Sequence, residues 1–297
     1  MWKAVKYVLV YYAFQIAVAI LLMIPILALK GNYETAIPVS LLISAVLFCW
    51  YIVSKREVRL LKESFSVRPW TILLPCVLIW LAFLLPELMM SETLELPDVM
   101  NEEMEQSLLS VFGLIAVGIV VPVAEEFLFR GAVLGSLLKW KQTEGRPWLA
   151  VLLSAVIFAV VHLNPAQMPG AFFMGLLFGW LCYRTGSLLP GIIIHILNNS
   201  LVSIAGIIDK LYPSEEPEPE TIAEAFGSPG LEYLAIGLSL IVLVECVLVL
   251  VRMVNRHYPL RQMEEPAPLA EGPAPEPVSE DSVEMPSEGV ADVEGDA

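Results

Sequence analysis

Charge is scarce in this sequence. Asp, Glu, Lys and Arg make up 16% of its 297 residues, against about 25% in a typical soluble domain. The apolar residues, 57% of the chain, are gathered into blocks long enough to cross a bilayer. That pattern excludes a soluble globular protein and points to a polytopic membrane protein. The 17 Lys plus Arg form no patch or stripe, so no nucleic-acid partner is expected. Cysteine is limited to Cys49, Cys76, Cys182 and Cys246, each alone in an apolar run and none in a CxxC pair. The four read as small hydrophobes rather than redox or metal-ligating thiols. Three hydrolase signatures are also missing: the HExxH of zinc metalloproteases, a serine in a GxSG context, and a GxGD aspartyl motif.

The acidic balance is uneven. Residues 255–297 hold eleven acids and two arginines, and so carry about −9 of the formal −15. That tail is Pro, Glu, Ala and Ser with few large apolar residues. Such a composition cannot bury a core and is expected to be disordered.

What is present in abundance is the apolar run. Eight occur, at about 7–29, 37–53, 70–88, 107–138, 148–163, 170–183, 188–208 and 231–254. The first is longer than the roughly 7–15 residues of a secretory h-region, so it reads as a retained helix. The basic segments are the N-terminus, 54–69, 139–147, Arg184 and 252–261, and they alternate with the acidic or neutral 30–36, 91–106, 164–169 and 209–230. The positive-inside rule then predicts eight helices with both termini cytoplasmic. The expected class is all-α, an integral protein of the bacterial cell (inner) membrane whose helices enclose an intramembrane polar site. The expected divisions are a helix pair with its basic loop over 1–69, a core over 70–208, an acidic loop and last helix over 209–254, and the tail over 255–297. The fourth run, at about 1.5 Å per residue, exceeds one bilayer core and must tilt, kink or project. Pro122 is the expected kink.

Charges inside these runs are the functional clue, because each costs a few kcal/mol at the bilayer centre on insertion scales. The fourth run carries Glu125, Glu126 and Arg130; the fifth carries His162 and the seventh His195 and Asn199. By helical rise, Glu125 and His162 lie roughly 20 Å from the cytoplasmic end, and His195 and Asn199 roughly 12–18 Å. Four polar groups from three helices thus converge on one layer. Glu126 and Arg130 are i, i+4 and can neutralise each other, a pairing that reads first as structural. Glu125 points about 100° away and needs a partner on another helix or a water. His195 and Asn199 are also i, i+4, and Phe158 shares a face with His162 and can wall the site. Gly131/Gly135 and Gly175/Gly179 are small-xxx-small pairs suited to close helix packing. His257 lies at the membrane edge and has no expected role.

A carboxylate beside a histidine in a wet cavity can activate water as general base, and a second histidine with an asparagine can stabilise an oxyanion. That set suits amide hydrolysis. Intramembrane Glu and His also mark ion pathways, so an ion-coupled transporter is the alternative. Against it stand the single cluster and the absence of a two-fold hydropathy repeat.

The EExxxR of Glu125–Arg130, the FxxxH of Phe158–His162 and the HxxxN of His195–Asn199, in that order, resemble the three motifs of the CPBP intramembrane proteases. These are the type II CAAX prenyl endopeptidases, also called the Abi or lysostaphin resistance protein A-like family. The resemblance covers roughly 70–208, leaving the first, second and eighth helices peripheral. It implies that Glu125 is the base, that His162 helps to hold the water, and that His195 and Asn199 form the oxyanion hole. Glu126, Arg130 and Phe158 would support the site. The implied partners are a membrane-associated protein or peptide substrate and the lipid bilayer. Members are described both as metalloproteases and as metal-independent glutamate proteases. A zinc, if present, would fall to Glu125, His162 and His195. Non-proteolytic scaffolds also occur in the family and are the nearer alternative.

Overall fold

The computed structural model describes residues 1–28, 35–58, 60–100, 102–213 and 221–259. The acidic tail from 260 onward, and parts of the loops 30–36 and 209–230, lie outside them. Among the described residues every regular element is helical. Each of the eight apolar runs is occupied by a helix: α1 Trp2–Ala28, α2 Ala36–Ser54, α3 Leu73–Leu94, α4 Val111–Leu138, α5 Pro147–Val160, α6 Met168–Thr185, α7 Leu189–Leu211 and α8 Pro229–His257. Six of these are long and apolar enough to cross a membrane; α5, with 14 residues, and α6 fall short of that length or hydropathy.

The ends follow local chemistry. The fourth run divides near Ser110: a short turn of helix, Glu102–Leu108, precedes it, and α4 proper starts where Ser110 Oγ accepts the Gly113 N–H. Pro147, Pro169, Pro190 and Pro229 stand in the first turns of α5, α6, α7 and α8, where a missing N–H is harmless. Gly186, at φ 70°, stops α6 and donates to Cys182 O, the left-handed cap only glycine adopts without cost.

α4 is the central element and is not a regular α-helix. It is wound as a π-helix over Leu114–Val120 and again over Phe127–Leu134, with six α-helical residues, Val121–Glu126, between. Widened turns of this kind are rare and recur at functional sites. α5 and α6 form a close pair against it. A Cβ on Gly175 would lie 3.0 Å from Ala155 Cα, and one on Gly179 would lie 3.2 Å from Val151, so the second small-residue pair does allow the approach expected of it. Gly131 does the same for a loop, since a Cβ there would collide with the Val58 side chain. α8 lies along α3.

The first two helices are less peripheral than the motif spacing implied. Both pack on α4, and Tyr12 of α1 donates to the Val161 carbonyl, next to His162.

The two ends of the bundle differ in charge. At one end Lys3 pairs with Glu57 at 2.8 Å, Arg184 donates to Tyr258 O, and Leu188 N–H donates to Ser64 O. At the other, Asn164 donates to Asp98 at 2.9 Å and the Ile222 N–H reaches Glu92 at 3.1 Å. The basic segments therefore meet one another, and so do the acidic ones.

Candidate active site

The α-helical turn in the middle of α4 presents the two glutamates in different directions. Glu126 is fully buried and Glu125 partly so, with side-chain exposures of 0% and 18%. Glu126 Oε1 lies 2.9 Å from Arg130 Nη1, one turn further on, as the i, i+4 spacing predicts. The pair is held by charge more than by aligned hydrogen bonds. The guanidinium nitrogens have no well-directed acceptor among the described residues. Instead the guanidinium carbon sits 4.3 Å from the ring centre of Phe158 and 5.1 Å from that of Phe178, where the ring faces attract it.

Glu126 has a second role that spacing did not reveal. The same Oε1 is 3.1 Å from Nδ1 of His195 on α7. An ionised carboxylate only accepts, so Nδ1 carries the hydrogen and Nε2 is left to face the cavity. Nε2 stands 3.6 Å from Glu125 Oε2. That is too long for a direct hydrogen bond. A water placed beside the gap can reach both atoms. The other oxygen of Glu126 rests on the first turn of α7: a Cβ on Gly191 would lie 2.5 Å from Oε2. Only glycine leaves room for the carboxylate there, and the positive end of the helix dipole faces it. Gly191 follows Pro190 in the first turn of α7, and no spacing in the sequence ties it to Glu126.

His162 is not on α5, contrary to the helical depth argument. α5 ends at Val160; the His162 and Leu163 N–H groups bond back three residues, and Leu163 takes φ 53°. The ring is fixed all the same. Its Nδ1 lies 2.7 Å from the Phe158 carbonyl, so this histidine too directs Nε2 outward. Phe158 stands edge-on to both histidines, at 5.0 Å from His162 and 5.7 Å from His195 between ring centres. It walls the site, as its shared face with His162 implied. Tyr11 and Tyr12 of α1 lie within electrostatic reach of Glu125. No sequence pattern connected them to it.

One amide hydrogen of Asn199 is turned to α4. Its Nδ2 donates to Val117 O at 3.1 Å, and its Oδ1 accepts from Asn198, which in turn accepts from Trp80 Nε1 of α3. The next residue, Ser200, donates to Gly118 O at 3.1 Å.

The donor set named for zinc is not drawn together: no three His, Cys, Asp or Glu among the described residues are grouped to hold a metal ion. Glu126 Oε1 is already engaged by Arg130 and His195. A cavity of about 630 Å³ lies elsewhere, between α5, α6 and α8, lined by Trp148, Trp180 and Leu250 among others. None of the motif residues borders it.

Every motif residue falls within 107–201, and that segment matches the family model described as Rce1-like, type II CAAX prenyl endopeptidase. No curated protein and no solved structure matches the chain. With its apolar helices, the chain is an integral membrane protein, and its residues 107–201 are similar to the Rce1-like type II CAAX prenyl endopeptidases.

Proposed function

We propose that this protein is an intramembrane endopeptidase that hydrolyses a peptide bond in a membrane-associated protein or peptide, prenylated CAAX-type chains among the candidates, at the cytoplasmic face of the bacterial inner membrane. The observation that supports this most is Glu125 facing His195 at 3.6 Å, with His195 oriented by a fully buried carboxylate. Glu125 is the general base. It takes a proton from a water held with the help of His162 Nε2, as the water oxygen bonds to the scissile carbonyl carbon. The carbonyl π electrons move onto oxygen. His195, in its protonated form, meets that oxyanion through Nε2–H, and the second amide hydrogen of Asn199 is the other donor. Glu125 then returns the proton to the leaving amine as the C–N bond breaks. Glu126 and Arg130 do no bond-making; they hold the His195 ring and keep each other neutral.

The orientation follows from charge. The basic end of the bundle is cytoplasmic by the positive-inside rule, which puts both termini there. The test is a substrate trap. Full-length Glu125→Gln protein, purified with what it retains, is compared with wild type incubated with the same candidates, and the cleaved peptides are read by mass spectrometry. Peptides cut by wild type and retained uncut by the variant support the reading. A wild-type protein that binds the same peptides but never cuts them would make it a scaffold.

A further inference from the structure

Pro122 lies in the middle of α4, three residues before Glu125. A proline inside a helix withholds one backbone donor. In an α register that donor would go to the carbonyl of Gly118, and in a π register to the carbonyl of Val117. The preceding turn is in the π register, since the Val121 N–H reaches back to Ala116 O. Val117 and Gly118 therefore carry the two carbonyls that the absent Pro122 N–H could have served, one in each register. They are also the two that receive side-chain hydrogen bonds from α7, from Asn199 Nδ2 and Ser200 Oγ, each at 3.1 Å. The approach is close. A Cβ on Gly118 would lie 3.1 Å from Ser200 Oγ and 3.4 Å from Ser200 Cα. In a bilayer an unsatisfied backbone carbonyl has no water to turn to, so the match between these carbonyls and the donors from α7 is a structural requirement.

We propose that Ser200, together with Asn199, is a positioning residue: from α7 the two give side-chain hydrogen bonds to the carbonyls that face the donor Pro122 withholds from α4, and so fix where the next turn, bearing Glu125 and Glu126, stands relative to His195. Asn199 thereby has two uses for its two amide hydrogens, one on Val117 and one toward substrate. Ser200 has only the first. The rate consequence rests on the peptidase reading; the stability consequence does not.

The proposal predicts a coupling that can be read by restoring the missing donor. Pro122→Ala returns an N–H to position 122, able to bond either carbonyl. Four full-length proteins in lipid nanodiscs are compared: wild type, Ser200→Ala, Pro122→Ala and the double variant. Thermal unfolding is followed by tryptophan fluorescence, and turnover is followed on a quenched-fluorescent farnesylated CAAX peptide. Ser200→Ala alone lowers the midpoint and lowers kcat roughly tenfold, with KM little changed, because the base is misplaced rather than removed. Ser200→Thr, which keeps the hydroxyl, restores both. In the Pro122→Ala background the same Ser200→Ala change costs neither stability nor rate. A loss as large in that background as in the presence of Pro122 overturns the proposal. If Ser200→Ala does not fold, recovery of folded protein in the double variant supports the coupling and failure to recover rejects it. If the wild type cleaves no peptide, the peptidase reading fails, while the midpoints still decide the coupling.

Discussion

α4 and α8 solve the same problem differently. Each has about the length of a bilayer crossing, 28 and 29 residues. α8 is one unbroken α-helix with leucine, isoleucine and valine exposed on most of its surface. Only 11% of its most apolar window is buried, against 44% for α4. Its side chains face lipid, and hydrophobicity is nearly all that lipid asks of them. α4 is wrapped by other helices, twice departs from the α register, and carries three charges. The contrast teaches that the helix given over to lipid keeps a regular backbone, while the one that carries the charges does not.

The sharpest way to break that contrast is at Glu125. Glu125→Gln preserves shape and hydrogen bonding but removes the base. The expected loss is about 10²–10⁴ in turnover, with an unchanged unfolding midpoint, and a purified variant at wild-type rate would reject the mechanism. Next in size is the partner of Glu126. Arg130→Met leaves a buried carboxylate uncompensated and should destabilise by about 3–5 kcal/mol. Denaturation in detergent, or folded yield after expression, reads it; a stable variant would mean that His195 alone suffices for the carboxylate. Gly191→Ala should follow. Its methyl would occupy the space of Glu126 Oε2, and overpacking of this kind costs about 1–3 kcal/mol. Because the carboxylate moves, the rate should fall along with the midpoint. The smallest effect belongs to α8. Ile241, 62% exposed, can become alanine with less than about 0.5 kcal/mol of change. A large loss there would show that α8 packs against something other than lipid. Sidedness is tested separately: cysteines placed at Ser64 and Thr221 should label from opposite faces of the membrane, and labelling from one face would overturn the topology.

Much of this could be read from the chain. The Glu126–Arg130 pair, the glycines of α6 and the convergence of Glu125 with His195 follow from i, i+4 geometry and from the cost of charge in lipid. The eight helical runs follow from hydropathy. The rest depends on partners distant in sequence. The Val117 and Gly118 carbonyls of α4 take donors from Asn199 and Ser200, some eighty residues away. His162 leaves its helix because the chain turns at Leu163, a residue with no turn signature of its own. The reach of Tyr12 to Val161 joins positions 149 apart, and no periodicity within one helix could have announced it.

The rings around Arg130 carry a consequence for how the protein meets its surroundings. Phe158 and Phe178 cover a cation whose side chain is 1% exposed. Mobile ions screen charges only where they can approach, over about 8 Å at physiological ionic strength. They cannot approach here. The attraction that holds Glu126 against Arg130 and, through it, orients His195 should therefore be the same in fresh water and in brine. Added salt can weaken only what happens at the basic rim, where a substrate arrives, so salt sensitivity should appear in KM and be absent from kcat.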